Sequence, residues 1–243
     1  MSVSLDISRD GAETGALLRQ LLQDRGIYDS QSKNVVCYGR PHFHTKNMIN
    51  GNRRGENKID NMRLMQEAGC RVVPWFEGTK IPRNTAFPLL ARKSHGMGGT
   101  DIVPVFQPKE VEWRVAAGWN WFSSYVPVAT EFRVWVWRRE HLDTYEKVMQ
   151  RPADYKYIGR NFRNGFEFRH RKPHVDAFHQ AELALAALNL DFAAIDMLQG
   201  EDGHIYILEA NTAPGVIRSG AQATLAKLAD KIEWWDANGY PKR

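Results

Sequence analysis

Cysteine is nearly missing from this 243-residue chain, which carries only Cys37 and Cys70. Two thiols cannot staple a small secreted scaffold or form a four-cysteine zinc site. Each lies in an apolar, strand-like run, so buried free thiols in a reducing compartment are expected. No apolar run approaches the roughly 20 residues of a membrane-spanning helix. The opening MSVSLDISRDGAE lacks the basic-then-apolar pattern of a secretory signal, so a cytoplasmic location is expected. There is no internal repeat, no low-complexity tract and no Cys or Ser motif for covalent catalysis. His42 and His44 are two apart, but no Cys or third His stands nearby to complete a zinc site.

What is present suits an ordinary globular protein: 43% hydrophobic and 25% charged residues, enough for one large domain or two small lobes. The net charge of +5 is unevenly spread. Arg40, Lys46, Arg53, Arg54 and Lys58 form one basic group, and Arg160, Arg163, Arg169, Arg171 and Lys172 another. Such clusters attract the phosphates of ATP, of a nucleotide substrate or of nucleic acid, unless they are simply a solvated basic face.

Residues 191–216, DFAAIDMLQGEDGHIYILEANTAPGV, organise the rest. The pattern predicts strands over 192–198 and 205–210, joined by a turn at Glu201, Asp202 and Gly203. Asp196, Glu209 and Asn211 interrupt this apolar hairpin. Residues two apart on a strand share a face, so Glu209 and Asn211 point the same way, and an antiparallel partner brings Asp196 beside them. Carboxylates in apolar strands are costly to bury without a counter-charge. An all-oxygen set of two carboxylates and an amide suits Mg²⁺ or Mn²⁺, which characteristically also bind substrate phosphates. The alternative is that Glu209 and Asn211 end a strand while Asp196 pairs with an arginine.

In chain order, the pattern predicts a helix over 15–24, a strand over 34–38 and a long basic loop over 39–61. A helix over 59–68 and a strand over 70–73 follow. Residues 87–93 read as a strand, 94–100 (SHGMGGT) as a glycine-rich loop and 101–106 as a strand. The glycines allow backbone amides to approach phosphate oxygens, and Arg92 or Lys93 at the strand end can reach the same phosphates. Residues 108–120 fit either a helix or a bent strand. Strands are expected over 121–126, 131–137 and 145–149, with a turn over 141–144; helices over 173–188 and 219–235 precede a mobile tail.

The hairpin resembles the metal-binding end of the ATP-grasp superfamily, in which an Asp closes one strand and an E-x-N triplet closes the next. Here Asp196 and Glu209 lie thirteen apart. Residues 187–192, ALNLDF, resemble the family lead-in A-L-G-L-D-[FY], with Asn189 in place of glycine. Asn50, Lys58 and the run EAGCRVVP resemble the family's passage from its first lobe to its ATP-binding lobes. The resemblance implies an α+β fold in which two α+β lobes sandwich ATP: a small α/β lobe over 1–86, then an ATP-binding lobe over 87–130 and a metal-binding lobe over 131–243. It implies ATP contacts from Arg92 or Lys93, from Gly96, Gly98 and Gly99, from the adenine hinge Ser124, Tyr125 and Val126, and from Glu131 and Lys147. Asp196, Glu209 and Asn211 would hold Mg²⁺ or Mn²⁺. Arg133 would steady the transferring phosphoryl group. The segment 158–168 is similar to the R-x-N-x-x-x-G stretch of the glutathione synthetase and ribosomal-protein glutamate ligase branch, which implies catalytic roles for Arg160 and Asn161, although these are adjacent here.

The implied activity is ATP-dependent carboxylate-amine ligation through an acyl phosphate, acting on small-molecule or peptide carboxylates and amines. Alternatives are a kinase-like phosphotransferase and a basic nucleic-acid-binding protein on a degenerate scaffold. A phosphate-bearing or nucleic-acid acceptor would join the two ideas, with Arg53 and Arg54 as acceptor contacts.

Overall fold

The structure is a computed structural model of the chain. It describes residues 2–39, 47–93, 102–149, 165–172, 174–216 and 221–239. The chain begins with β1 (Ser4–Ile7), α1 (Ala12–Asp24), β2 (Asn34–Tyr38), β3 (Asn47–Ile49) and α2 (Lys58–Glu67). Next come β4 (Trp75–Glu77), β5 (Leu89–Arg92), β6 (Ile102–Val105), α3 (Pro108–Ala116) and β7 (Trp121–Ser124). The last part contains β8 (Val128–Trp137), β9 (Glu140–Met149), β10 (Phe166–His170), α4 (Val175–Ala187), β11 (Phe192–Gly200), β12 (Ile205–Asn211) and α5 (Gln222–Asn238). No helix among the described residues is long and apolar enough to cross a membrane.

Three sheets organise these elements. The first, β1-β2-β3, is parallel; the second runs β4-β7-β5-β6 and the third β10-β9-β8-β11-β12, both antiparallel. The third sheet is covered on its two faces by different helices. Alternation along β8 sends Phe132, Val134 and Val136 to the α4 side, where Ala177, Ala181 and Ala184 let that helix approach closely. Trp135 and Trp137 point to the opposite face, against α5, α1 and the first sheet. Full burial of side chains such as Trp135, Phe192 and Trp235 contributes about 2 kcal/mol or more each. The first sheet therefore shares a core with the third.

Local chemistry explains the ends. Asn57 caps α2, its Oδ1 accepting from the backbone N–H of Ile59 at 2.9 Å and of Asp60 at 3.1 Å. Pro108 opens α3, which settles the 108–120 stretch as a helix over its first part. Asn189 closes α4 with φ 53°, adopting the left-handed backbone that glycine usually supplies. In the β11–β12 turn, Asp202 accepts from the His204 N–H at 3.0 Å, and Gly203 takes φ 81°.

Four expectations need correction. The basic loop over 39–61 is not continuous: β3 pairs in parallel with β2, and α2 begins at Lys58. Residues 70–73 form no strand; only Val72 makes an isolated bridge, to Ile207, and the strand begins after Pro74. The β8–β9 turn is at Arg138 and Arg139 rather than 141–144, with Arg138 at φ 52° in a run without glycine. The final helix extends through Asn238, taking in part of the tail expected to be mobile.

Candidate functional site

The charged residues lie on the third sheet, on the same face as Trp135 and Trp137. That face is apolar around Phe192 and charged farther along, where Arg133, Asp196 and Glu209 stand side by side on β8, β11 and β12. A bulge makes this possible. Between Asp196 and Met197 the register slips, so that Leu208 is the extra residue of β12. Ile205 and Ile207 face α4; strict alternation would send Glu209 and Asn211 there too. After the bulge Glu209 opposes Asp196 and Asn211 opposes Ala194, so both share the Asp196 face.

Asp196 is 4% exposed. It accepts from Arg133 Nε at 2.7 Å and Nη2 at 2.9 Å, and from Lys147 Nζ at 3.2 Å. Lys147 also bonds Glu131, and both are buried. Burial alone would raise the Asp196 carboxyl pKa, but Arg133 and Lys147 outweigh it and hold the group well below the usual carboxylate range. Burial likewise disfavours the Lys147 ammonium and the Arg133 guanidinium, and Asp196 with Glu131 reverses that, raising both.

Glu209 is more open and pairs with Lys58 Nζ at 3.0 Å from the start of α2. Asn211 Oδ1 accepts from the Ala213 N–H at 3.0 Å, turning the chain as β12 ends. Arg92 stands on the second sheet, its Nε donating to Ser123 Oγ at 3.1 Å and its guanidinium 5.2 Å from the Trp121 ring centroid. Burial lowers the Arg92 pKa, opposed by the charges of Glu209 and Glu131. Lys93 turns away, with Nζ 5.1 Å from the Trp119 ring centroid. Alternation thus separates the two basic candidates, and of the two it is Arg92 whose charge is coupled to Glu209 and Glu131.

Ser124, Tyr125 and Val126 join the second sheet to the third. The Ser124 N–H donates to Pro74 O at 2.8 Å and the Tyr125 N–H to Pro88 O at 3.2 Å, so a ligand reading these two amides would have to displace those bonds. Gly96, Gly98, Gly99, Arg160, Asn161, His42 and His44 lie outside the described residues.

By chemistry the donor set suits a hard divalent cation, but Asp196 pairs with an arginine here: both its oxygens accept from Arg133 or Lys147, so a cation would share that carboxylate with them. Asp196, Glu209 and Asn211 offer only oxygens; no group of three or more His, Cys, Asp or Glu among the described residues is placed to hold a metal ion, so the Asn211 amide would have to supply the third oxygen. Few protein ligands leave positions for phosphate oxygens, as magnesium requires. Lys58, Arg92, Arg133 and Lys147 against Glu131, Asp196 and Glu209 leave one net positive charge, favourable for an anion. Tyr38 was not singled out by its sequence. Its hydroxyl donates to Pro214 O at 2.6 Å and its ring stacks 6.0 Å from Phe192, bracing the chain just after Asn211; nothing in NVVCY marks that role.

No family model and no curated protein matches the sequence. Solved structures do match. The ATP-grasp ligase PsnB, complexed with its minimal precursor, superposes with a TM-score of 0.70 at 14% identity, covering 96% of this chain and 99% of PsnB. The chain has the ATP-grasp fold. D-alanine–D-alanine ligase from Bacillus anthracis, complexed with ATP, superposes with a TM-score of 0.66 at 15% identity, covering 98% of this chain and all of that one. D-cycloserine synthetase DcsG does so with the same score and identity over 96% of this chain and all of its own. These identities carry the fold; the chemistry is argued from the site.

Proposed function

We propose that the chain is an ATP-dependent carboxylate-amine ligase. The observation that carries this reading is the alignment of Arg133, Asp196 and Glu209 on adjacent strands of an ATP-grasp fold. A substrate carboxylate oxygen attacks the γ-phosphorus of ATP and the bond to ADP breaks, giving an acyl phosphate. An amine then attacks the acyl carbon, phosphate departs, and the amine's proton is released. Magnesium, held by Asp196, Glu209 and Asn211, would supply Lewis-acid neutralisation of phosphate charge.

The protein's own groups bind and orient. Arg133, fixed in one rotamer by Asp196, presents the rest of its guanidinium to anionic oxygen. Lys147 keeps Asp196 ionised and aligned. Arg92 reaches phosphate from the opposite sheet, and residues 124–126 line the nucleotide cleft. Both peptide and small-molecule carboxylates belong in the assay, since the similar structures include a ligase bound to a precursor peptide and a D-alanine–D-alanine ligase.

The deciding experiment measures ADP release from Mg-ATP with pooled carboxylic acids, amino acids and peptides, with and without hydroxylamine. Carboxylate-dependent hydroxamate is expected. ADP without hydroxamate would replace the ligase by a kinase-like phosphotransferase.

A further inference from the structure

Residues 50–54 join β3 to α2 and are neither helix nor strand, yet they are pinned. Asn50, at φ 57°, donates from its backbone N–H to Asp191 Oδ2 at 2.9 Å and from Nδ2 to Phe192 O at 2.8 Å. Its Oδ1 accepts from the N–H of Asp191 at 2.7 Å and of Phe192 at 3.1 Å. Farther along, the Arg54 N–H donates to Leu188 O at 2.8 Å, and Asn189 Nδ2 to Asn52 O at 2.6 Å. A segment held at one end to the start of β11 and at the other to the close of α4 presents its side chains in fixed directions.

Arg53 is directed at the end of β12. Its Nη1 lies 3.3 Å from Thr212 Oγ1 and 3.4 Å from Gly39 O, both long for hydrogen bonds, and Thr212 directly follows Asn211. The Nε of Arg53 is buried without a hydrogen-bond partner among the described residues. Among the described residues no carboxylate pairs with this guanidinium, and burial lowers its pKa. A partly desolvated guanidinium with a spare buried donor and only neutral neighbours is costly unless an anion completes it. Arg92 answers Glu209 and Glu131, whereas Arg53 answers Thr212 and Gly39. The two arginines serve different places.

We infer that Arg53 binds an anionic group, carboxylate or phosphate, on the non-nucleotide substrate, beside the metal-binding triplet. The inference rests on the ligase reading: the enzyme takes a substrate that bears a second anion besides the carboxylate that reacts. Arg53 sets specificity for that class, and exposed Arg54 does not contribute.

Calorimetry of the full chain saturated with Mg-ADP, titrated separately with glutarate and with glycerol phosphate, tests this. Wild-type protein is expected to bind one of them, glutarate identifying a carboxylate source and glycerol phosphate a phosphate source. Arg53→Gln should weaken that binding at least about tenfold, the loss of a charge-assisted contact, while Arg54→Gln and the Mg-ADP affinity stay unchanged. Arg53→Lys keeps the charge without the planar fork and should bind with intermediate affinity, which guards against misfolding of the Gln variant. The inference is overturned if wild type binds neither anion, if Arg53→Gln binds as tightly as wild type, or if Mg-ADP affinity falls equally. Failure of wild type to bind Mg-ADP sinks the ligase reading instead, and the same titrations without nucleotide still report on Arg53.

Discussion

Arg133 and Asp196 are direct partners on adjacent antiparallel strands, joined by two parallel hydrogen bonds of 2.7 and 2.9 Å in a largely buried setting. Such a fork is rigid, and removing one half leaves the other half's charge in place. Asp196→Asn should therefore destabilise the fold by about 3–5 kcal/mol, because Arg133 and Lys147 lose their shared counter-ion. Urea unfolding checks it. A loss below about 1 kcal/mol would mean that the network is solvated and does not anchor the site.

The same carboxylate makes stability acid-sensitive in a defined direction. The folded Asp196 carboxyl lies below its unfolded value of 3.8. Above that value both states are ionised and the stabilisation is complete. As pH falls through it the unfolded chain takes up the proton first, and the contribution is gone once pH drops below the folded value. Asp143 adds to this: burial opposes its charge, but Lys227, Thr224 and His170 more than compensate and lower it as well. The urea midpoint should begin to fall gently below about pH 6.5, where burial resists protonation of His141, and steeply below about 4 as the carboxylates protonate. Asp196→Asn should show a shallower acid slope, and identical slopes would exclude Asp196 as a source.

Glu209 invites the opposite experiment, since it is partly exposed and its ion pair with Lys58 is weak support for the fold. Glu209→Gln should change stability by less than about 1 kcal/mol while turnover falls at least a hundredfold, roughly 2.7 kcal/mol of transition-state stabilisation. Excess Mn²⁺ should restore only part of it. Full activity in this variant would remove Glu209 from the metal site.

Arg92 and Lys93 separate two roles that adjacent positions conceal. Arg92→Gln should raise the KM for ATP about tenfold or more, the loss of one charge-assisted phosphate contact. Lys93→Gln should leave it within about twofold, since that ammonium lies over Trp119. Equal effects would mean that the strand end rotates when nucleotide binds.

Much of this site was legible because its signals are local. The 192–198 and 205–210 strands, the turn at Gly203 and the shared face of Glu209 and Asn211 follow from period-two alternation and glycine chemistry. The bulge at Leu208 was not legible. It depends on pairing with β11, and no residue in IYILEAN announces it, although without it the triplet would turn toward α4. The bonds of Lys58 to Glu209 and Lys147 to Asp196, and the approach of Arg53 to Thr212, were equally hidden, because each joins positions far apart in the chain. β3 escaped notice because three residues are too few for a pattern; parallel pairing with β2 makes them a strand.

The shared core between the first and third sheets bears on how such a chain can change over evolutionary time. Val36, Tyr38 and Ile49 pack in one cluster with Trp135, Phe192 and Trp235, so the first lobe is no detachable cassette. Replacing it by recombination would strip cover from aromatic side chains on β8, β11 and α5 and leave an adhesive surface. With Arg53 as the proposed substrate contact, a change of specificity is then expected by point substitution in pinned segments such as 50–54, the lobe itself being inherited whole.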